Sequence, residues 1–541
     1  MKKICLALLI ALLAFQLFAC DMDIYKETGG SEPTETTEGT TDSTPTIKPT
    51  ESNPDGTNST ESTGTASTNP APTTSTISTT PKPTEPAPTT SKPTEPAPTI
   101  PAPTEPDNGL QFTTQAFPNS LKKDGPLTAE GLPSVGNPKL LVIPVNLDDS
   151  KKTNDLLEDI EIAFSGTEKE TGWESVESYY YESSYHQLNL DCDVMDEWFT
   201  PSKSASYYEN YYDSKNDVDG SILILREALE YYEDKLDLTD YDYDKDGYID
   251  SVWLVYNYDV DYYDDESIYW AFVSWEYEEY TYDGLMACNY AFGGTDFMYE
   301  ESDMYDTDDI HVDAHTFIHE TGHLMGLDDY YDYDTETGPS GGTYSADMMD
   351  GNIGDHGVIS KMLLGWVKPT IVTGTGEGTY SLSSFATTGK FLLISDHEVT
   401  SVYDEYFLVE FYTNDGLNAH DQPILDDDYI VAEGIRVMHV DARLNYNKHG
   451  QIEWNEGDSY VTGFLYDNSD TDKLFLDNLR ADYGSRMEEY LWPESLYREG
   501  EEIFGKDVWK NHKYHSGSKL NFTLEVLGIK NDLCEIKLVV S

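Results

Sequence analysis

Basic residues are what this chain most lacks: 33 Lys and Arg stand against 102 Asp and Glu, a formal charge of -69 at pH 7. Binding to a nucleic acid needs a basic face that neutralises phosphates, so the balance argues against nucleic-acid partners and against polyanions in general. Cysteine is scarce as well. Five occur in 541 residues, at Cys5, Cys20, Cys192, Cys288 and Cys534, which excludes a dense disulfide framework. The three beyond Cys20 cannot all pair among themselves, so at least one stays a thiol. The apolar run from Ile4 to Phe18 is too short for a comfortable membrane span.

That run follows Lys2 and Lys3, and a basic start before a short apolar stretch reads as a signal peptide over residues 1–19. It ends Leu17, Phe18, Ala19, Cys20, which resembles a bacterial lipoprotein processing site. The resemblance implies that Cys20 carries acyl chains and tethers an exported protein to the outer face of a membrane. Residues 20–109 are Thr, Pro, Ser and Glu with a near-exact repeat, PKPTEPAPTT from Pro81 and SKPTEPAPTI from Ser91. Such a tract builds no core and stiffens toward polyproline geometry, so it reads as a stalk.

Globular character begins near Pro138, where KLLVIPVNL reads as a buried strand, followed by alternating helical and strand-like patterns up to Trp366. Beyond Pro369 the signals are short strands: FLLIS from Phe391, EYFLVEFY from Glu405, GIRVMHVDA from Gly434, NFTLEVLGI from Asn521 and CEIKLVV from Cys534. The expectation is an α+β protein, with an α/β domain over 110–370 built around one functional helix and a mainly β domain over 371–541.

The chemistry is concentrated in HVDAHTFIHETGHLMGLDDYYD. Residues 318–324 suit a helix, where His319 and His323 at i and i+4 project from one face and can share a zinc ion. Glu320 then lies beside the metal and can accept a proton from an activated water. Gly326, three residues after His323, can end the helix in a left-handed conformation and turn the chain back toward the metal. Asp329 arrives as third ligand, with Asp328 and Asp332 as alternatives. His315 forms a second i, i+4 pair with His319 but lacks an adjacent carboxylate. It and His311 read as helix-start or packing residues. Three protein ligands leave the fourth zinc position open, as catalysis requires.

A second cation site is written in DYDYDKDGYID. Asp242, Asp244, Asp246 and Asp250 alternate so that their carboxylates can converge on calcium, Gly247 permits the sharp turn, and the carbonyl of Tyr248 adds a ligand. An EF-hand would need Glu at its twelfth position, where Trp253 stands; the loop is expected to stabilise, not catalyse. The acidic cluster 261–266 lacks this register and reads as a solvated loop.

HETGHLMGLDDYYD resembles the segment HExGHxxGLPDxYD of the M6 peptidases, the immune inhibitor A family of bacterial secreted metalloproteases, with Asp328 in place of the usual proline. SADMMDGNIGDHGVISKMLLGWVKP resembles that family's second signature, a turn followed by a helix ending in Lys361, Leu364, Gly365 and Trp366; Met349 would be the methionine beneath the zinc. The likeness runs from about Pro138 onward in the family's order. It implies a zincin-type catalytic domain and a cell-surface zinc endopeptidase acting on extracellular proteins or peptides. Tyr331, Tyr344 and His356 are the candidates for an oxyanion donor. The competing reading is a calcium-stabilised surface adhesin on the same scaffold, which would tolerate loss of Glu320.

Overall fold

The computed structural model describes residues 109–117, 131–147, 154–215, 218–258, 267–276, 280–299, 311–332, 342–343, 347–419, 433–446, 448–449, 452, 463–469, 473–480, 496–503 and 512–541. These all fall within one compact unit. The leader, Cys20, the stalk up to residue 108, the cluster 261–266 and Tyr344 lie outside them. The described residues form a mixed α and β protein with several sheets.

Strand β1 (Gln111–Thr114) opens the described chain and β2 (Lys139–Val145) follows it. Alternation along β2 sends Leu140 and Val142 into one core and Leu141, Ile143 and Val145 into another, as a side-chain period of two requires. With β3 (Asp191–Val194), β4 (Val252–Tyr256), β5 (Phe272–Trp275) and β6 (Asn289–Gly294), β2 makes a sheet in the order β3-β2-β4-β6-β5. Only the edge strand β5 is antiparallel.

Helices cover both faces. On one side lie α1 (Asn154–Ser165), α2 (Val176–Ser183) and, later in the chain, the helix bearing His319, through Phe164, Tyr180, Phe317 and Ile318. The other face packs on α3 (Gly220–Tyr232) through Ile222, Leu225 and Leu229. The His-bearing helix is α4 (His315–Leu324), followed by α5 (Met348–Gly351) and α6 (Val358–Leu363). Helix α4 begins a turn earlier than the sequence pattern suggests.

Besides five strands of two or three residues between Tyr212 and Ala287 that make two small sheets, the chain continues with β7 (Thr370–Thr373), β8 (Gly376–Ser383), β9 (Phe391–Ile394), β10 (Glu405–Tyr412), β11 (Gly434–Asp441), β12 (Leu476–Asn478), β13 (Phe522–Lys530) and β14 (Leu533–Val540). They form a six-stranded sheet, β1-β7-β9-β10-β11-β12, and an antiparallel sheet β8-β14-β13. One face of the larger sheet, with Phe407, Val409 and Phe411, packs on Leu524, Ile536 and Leu538 of the smaller. Its other face, with Tyr406, Leu408 and Met438, shares a continuous core with α4 and α6. Strand β1, which precedes the first layer in sequence, pairs with β7 in the second. Cys192, Cys288 and Cys534 are not joined to one another by disulfides, and no helix among the described residues is long and apolar enough to cross a membrane.

Candidate metal centre

All ten residues of α4 are buried, unusual for a helix this polar and a sign that its polar groups have partners. Thr321 accepts a bond from the Trp253 indole N–H at 3.1 Å and donates to the Phe317 carbonyl at 2.7 Å, fastening the helix to β4. The Tyr180 hydroxyl donates to the Ile318 carbonyl at 2.6 Å. The helix closes with Gly326 at φ 91 and the Leu327 N–H bonded back to the Gly322 carbonyl at 3.1 Å, the six-to-one bond of a glycine-terminated helix.

That turn delivers Asp329. Its Oδ1 lies 2.9 Å from His319 Nε2 and 3.3 Å from His323 Nε2, and the two Nε2 atoms are 3.1 Å apart. The other ring nitrogens are engaged: His319 Nδ1 is 2.8 Å from the Met348 carbonyl and His323 Nδ1 is 2.9 Å from that of Leu327. With Nδ1–H donating to these carbonyls, both Nε2 lone pairs face the same point. Tetrahedral zinc with bonds of about 2.0–2.1 Å separates its ligand atoms by roughly 3.3 Å, so this triangle fits one face of that tetrahedron. No fourth His, Cys, Asp or Glu joins the group among the described residues. Of the three acids weighed for the third place, Asp329 is the one brought to the imidazoles.

Electrostatics couple the three groups. Burial works to lower the pKa of His323, yet the Asp329 carboxylate overrides it and pushes it up to about 10. Burial would raise Asp329, but the two histidines hold it far below the usual carboxylate range. The shifts express the mutual pairing of the Asp329 carboxylate with the two imidazoles. Glu320, buried on the same helix, is raised by burial and held down partly by His323 and His319.

Met349 packs against α4 at Gly322. A Cβ on Gly322 would come 2.7 Å from its Sδ, so any larger residue at this position inside HETGH would push the flexible methionine side chain aside. The turn carrying Met349 starts at Asp347, fully buried, whose carboxylate accepts the N–H groups of Met349 at 3.0 Å and Gly357 at 2.7 Å. Tyr330, next to Asp329, is held at three points: its N–H by the Met349 carbonyl, its carbonyl by Asn468 and its hydroxyl by Ser360. The roles of Asp347 and Tyr330 were not visible in the sequence, because neither type nor spacing marks a residue that acts by holding its neighbours.

His315 stacks on Trp173 with ring centroids 4.5 Å apart and pairs with Asp313 at 2.7 Å, a packing role. His356 is buried among Tyr179, Tyr180 and Trp366, 3.9 Å from Asp347. Tyr331 is half-buried beside Asp329 and Tyr330.

In the acidic loop, Asp242, Asp244 and Asp250 bring carboxylate oxygens within 4.8 Å of one another. Asp250 also accepts the Tyr243 N–H at 3.0 Å and Asp242 that of Asp246 at 3.1 Å. The Asp246 carboxylate is outside this group and accepts the Tyr248 N–H at 3.0 Å. Gly247 has φ 95 with open space where a Cβ would go, so backbone conformation alone selects glycine there.

No protein-family model matches the chain, and no curated protein sequence matches it.

Proposed function

We propose that this chain is a zinc-dependent endopeptidase of the immune inhibitor A type, with a zincin-type catalytic domain, exported and lipid-anchored at Cys20, acting on extracellular proteins or peptides. The observation that carries the reading is the convergence of His319 Nε2, His323 Nε2 and Asp329 Oδ1, with Glu320 on the same buried helix. Zinc bound there supplies Lewis acidity toward a peptide carbonyl and lowers the pKa of a water. Glu320 takes that water's proton and returns it to the leaving amine; the elevated pKa that burial gives it suits a group that must both accept and donate. The Met348 and Leu327 carbonyls hold the imidazoles in the metal-binding tautomer. Calcium at Asp242, Asp244 and Asp250 would stiffen the loop leading into β4, which carries Trp253 to Thr321.

The test is cleavage of casein by the purified chain, with and without a chelator, alongside Glu320→Gln. Loss of roughly 10²-fold to 10⁴-fold in rate is expected for the variant at unchanged zinc content. Equal cleavage by both proteins would remove the mechanism; no cleavage by either would favour the adhesin reading.

A further inference from the structure

We infer that Glu405, Asp441 and His515 form a second metal site, for a divalent first-row transition cation, on the face of the six-stranded sheet turned away from α4. Strand alternation puts Glu405 on the face of Phe407, which belongs to the core between the two β sheets. Register then assembles the rest: Glu405 is directly opposite Asp441, and Phe407 is opposite His439, itself opposite Asp477. Like charges facing each other on one side of an antiparallel pair repel. Here both are buried, Glu405 at 2% exposure and Asp441 at 0%, where uncompensated charge is most costly.

The nearest cation is Arg443, which grips Asp441 with Nε at 2.6 Å and Nη2 at 2.5 Å and reaches Glu405 at 3.5 Å. Lys473 is turned to the His515 carbonyl at 3.2 Å and the Tyr466 hydroxyl at 3.0 Å. One guanidinium thus serves two buried carboxylates, with Asp477 a third acid on the same face. His515 Nδ1 lies 2.9 Å from Asp441 Oδ2, the same separation as His319 Nε2 from Asp329 Oδ1. The donor atoms of Glu405, Asp441 and His515 all fall within 4.8 Å of one another.

The surroundings orient these groups as outer partners orient metal ligands. Glu405 Oε1 accepts the His515 backbone N–H and lies 3.1 Å from His439 Nε2, while His439 Nδ1 lies 3.1 Å from His512 Nε2. A neutral His439 satisfies both contacts, donating through Nε2 and accepting at Nδ1. His439 is further fixed by stacking on Phe407 at 4.5 Å. An imidazole with two carboxylates is a donor set for zinc or manganese rather than for calcium, which takes oxygen ligands. The His515 side chain, 15% exposed, gives the ion a way in.

The experiment loads the full chain with zinc in excess calcium, removes free metal by gel filtration, and measures bound zinc by mass spectrometry. About two equivalents are expected for wild type, about one for His319→Ala/His323→Ala and about one for His515→Ala, with far-UV circular dichroism unchanged. Asp441→Asn is a second probe should His515→Ala perturb folding. The inference is overturned if the double variant at α4 retains no zinc, or if neither His515→Ala nor Asp441→Asn lowers the count; the cluster is then an ion-pair network only. If zinc is lost with His515→Ala but not with the α4 double variant, this site stands and the catalytic reading fails.

Discussion

The two histidine and carboxylate clusters are built in opposite ways. His319, His323 and Asp329 come from eleven consecutive residues, positioned by one helix and one glycine turn. Glu405, Asp441 and His515 come from three distant segments, brought together by sheet register and by the segment 512–520 folding over β10. Helical spacing is written in the sequence and strand register is not. The first cluster nonetheless depends on assembled support: Asp347 holds the Met349 turn, and behind it lie Lys361 paired with Asp355 at 2.5 Å, and Arg436 with its cross-strand partner Glu410.

Breaking that support should have the largest effect. Lys361 is fully buried, and Lys361→Met leaves the Asp355 carboxylate buried without its cation, expected to cost about 3–5 kcal/mol in urea unfolding. Replacing both partners, Lys361→Met with Asp355→Leu, should recover much of the loss. A single variant as stable as wild type would mean the local cluster needs no distant support.

Calcium removal comes next and tests a second locally encoded site. At a hundredfold excess over its dissociation constant, calcium should add about 2.7 kcal/mol to stability. A calcium-selective chelator should therefore lower the melting temperature of wild type and leave Asp250→Ala unmoved. Equal shifts in both would place the effect elsewhere.

The pattern of what could be read follows from range. DxDxDG, HExxH and the glycine turn are rules about residues within a turn or two, so Asp242, Asp250, His319, Glu320, His323 and Asp329 could be named in advance. The strands at 391, 405, 434, 522 and 533 were legible from β-branched and aromatic content. Their order was not: β1 crossing to pair with β7 and one core spanning both layers depend on long-range packing that no local pattern encodes. Asp347, Tyr330 and the Glu405 cluster were missed for the same reason.

Gly322 joins the local and assembled halves. Gly322→Ala drives a Cβ against Met349 Sδ and is expected to cost about 1–3 kcal/mol. In combination with Met349→Ala the costs should be less than additive, since the smaller side chain removes the clash. Strict additivity would show that the methionine does not press on the helix.

The smallest effect is expected at the rim of the first sheet, where Lys139 Nζ and Asp193 meet at 2.8 Å with both side chains about one-third exposed. Burial tends to raise the Asp193 pKa, but the Lys139 and Tyr241 bonds outweigh it and hold it below the usual carboxylate value. Lys139 is raised, chiefly by its bond to Asp193. An acid depressed in the folded state stabilises above its unfolded pKa and loses that contribution as pH falls through its folded value. A raised lysine stabilises below its unfolded pKa and loses it as pH rises through its folded value. The pair therefore acts between about pH 4 and pH 10, and solvent screening keeps it below about 1 kcal/mol. Lys139→Ala should lower stability by that small amount at pH 7 and by less at pH 3. An equal gap at pH 3 and pH 7 would show that Lys139 acts by packing over the Tyr241 ring, 5.2 Å from its ammonium, rather than by charge.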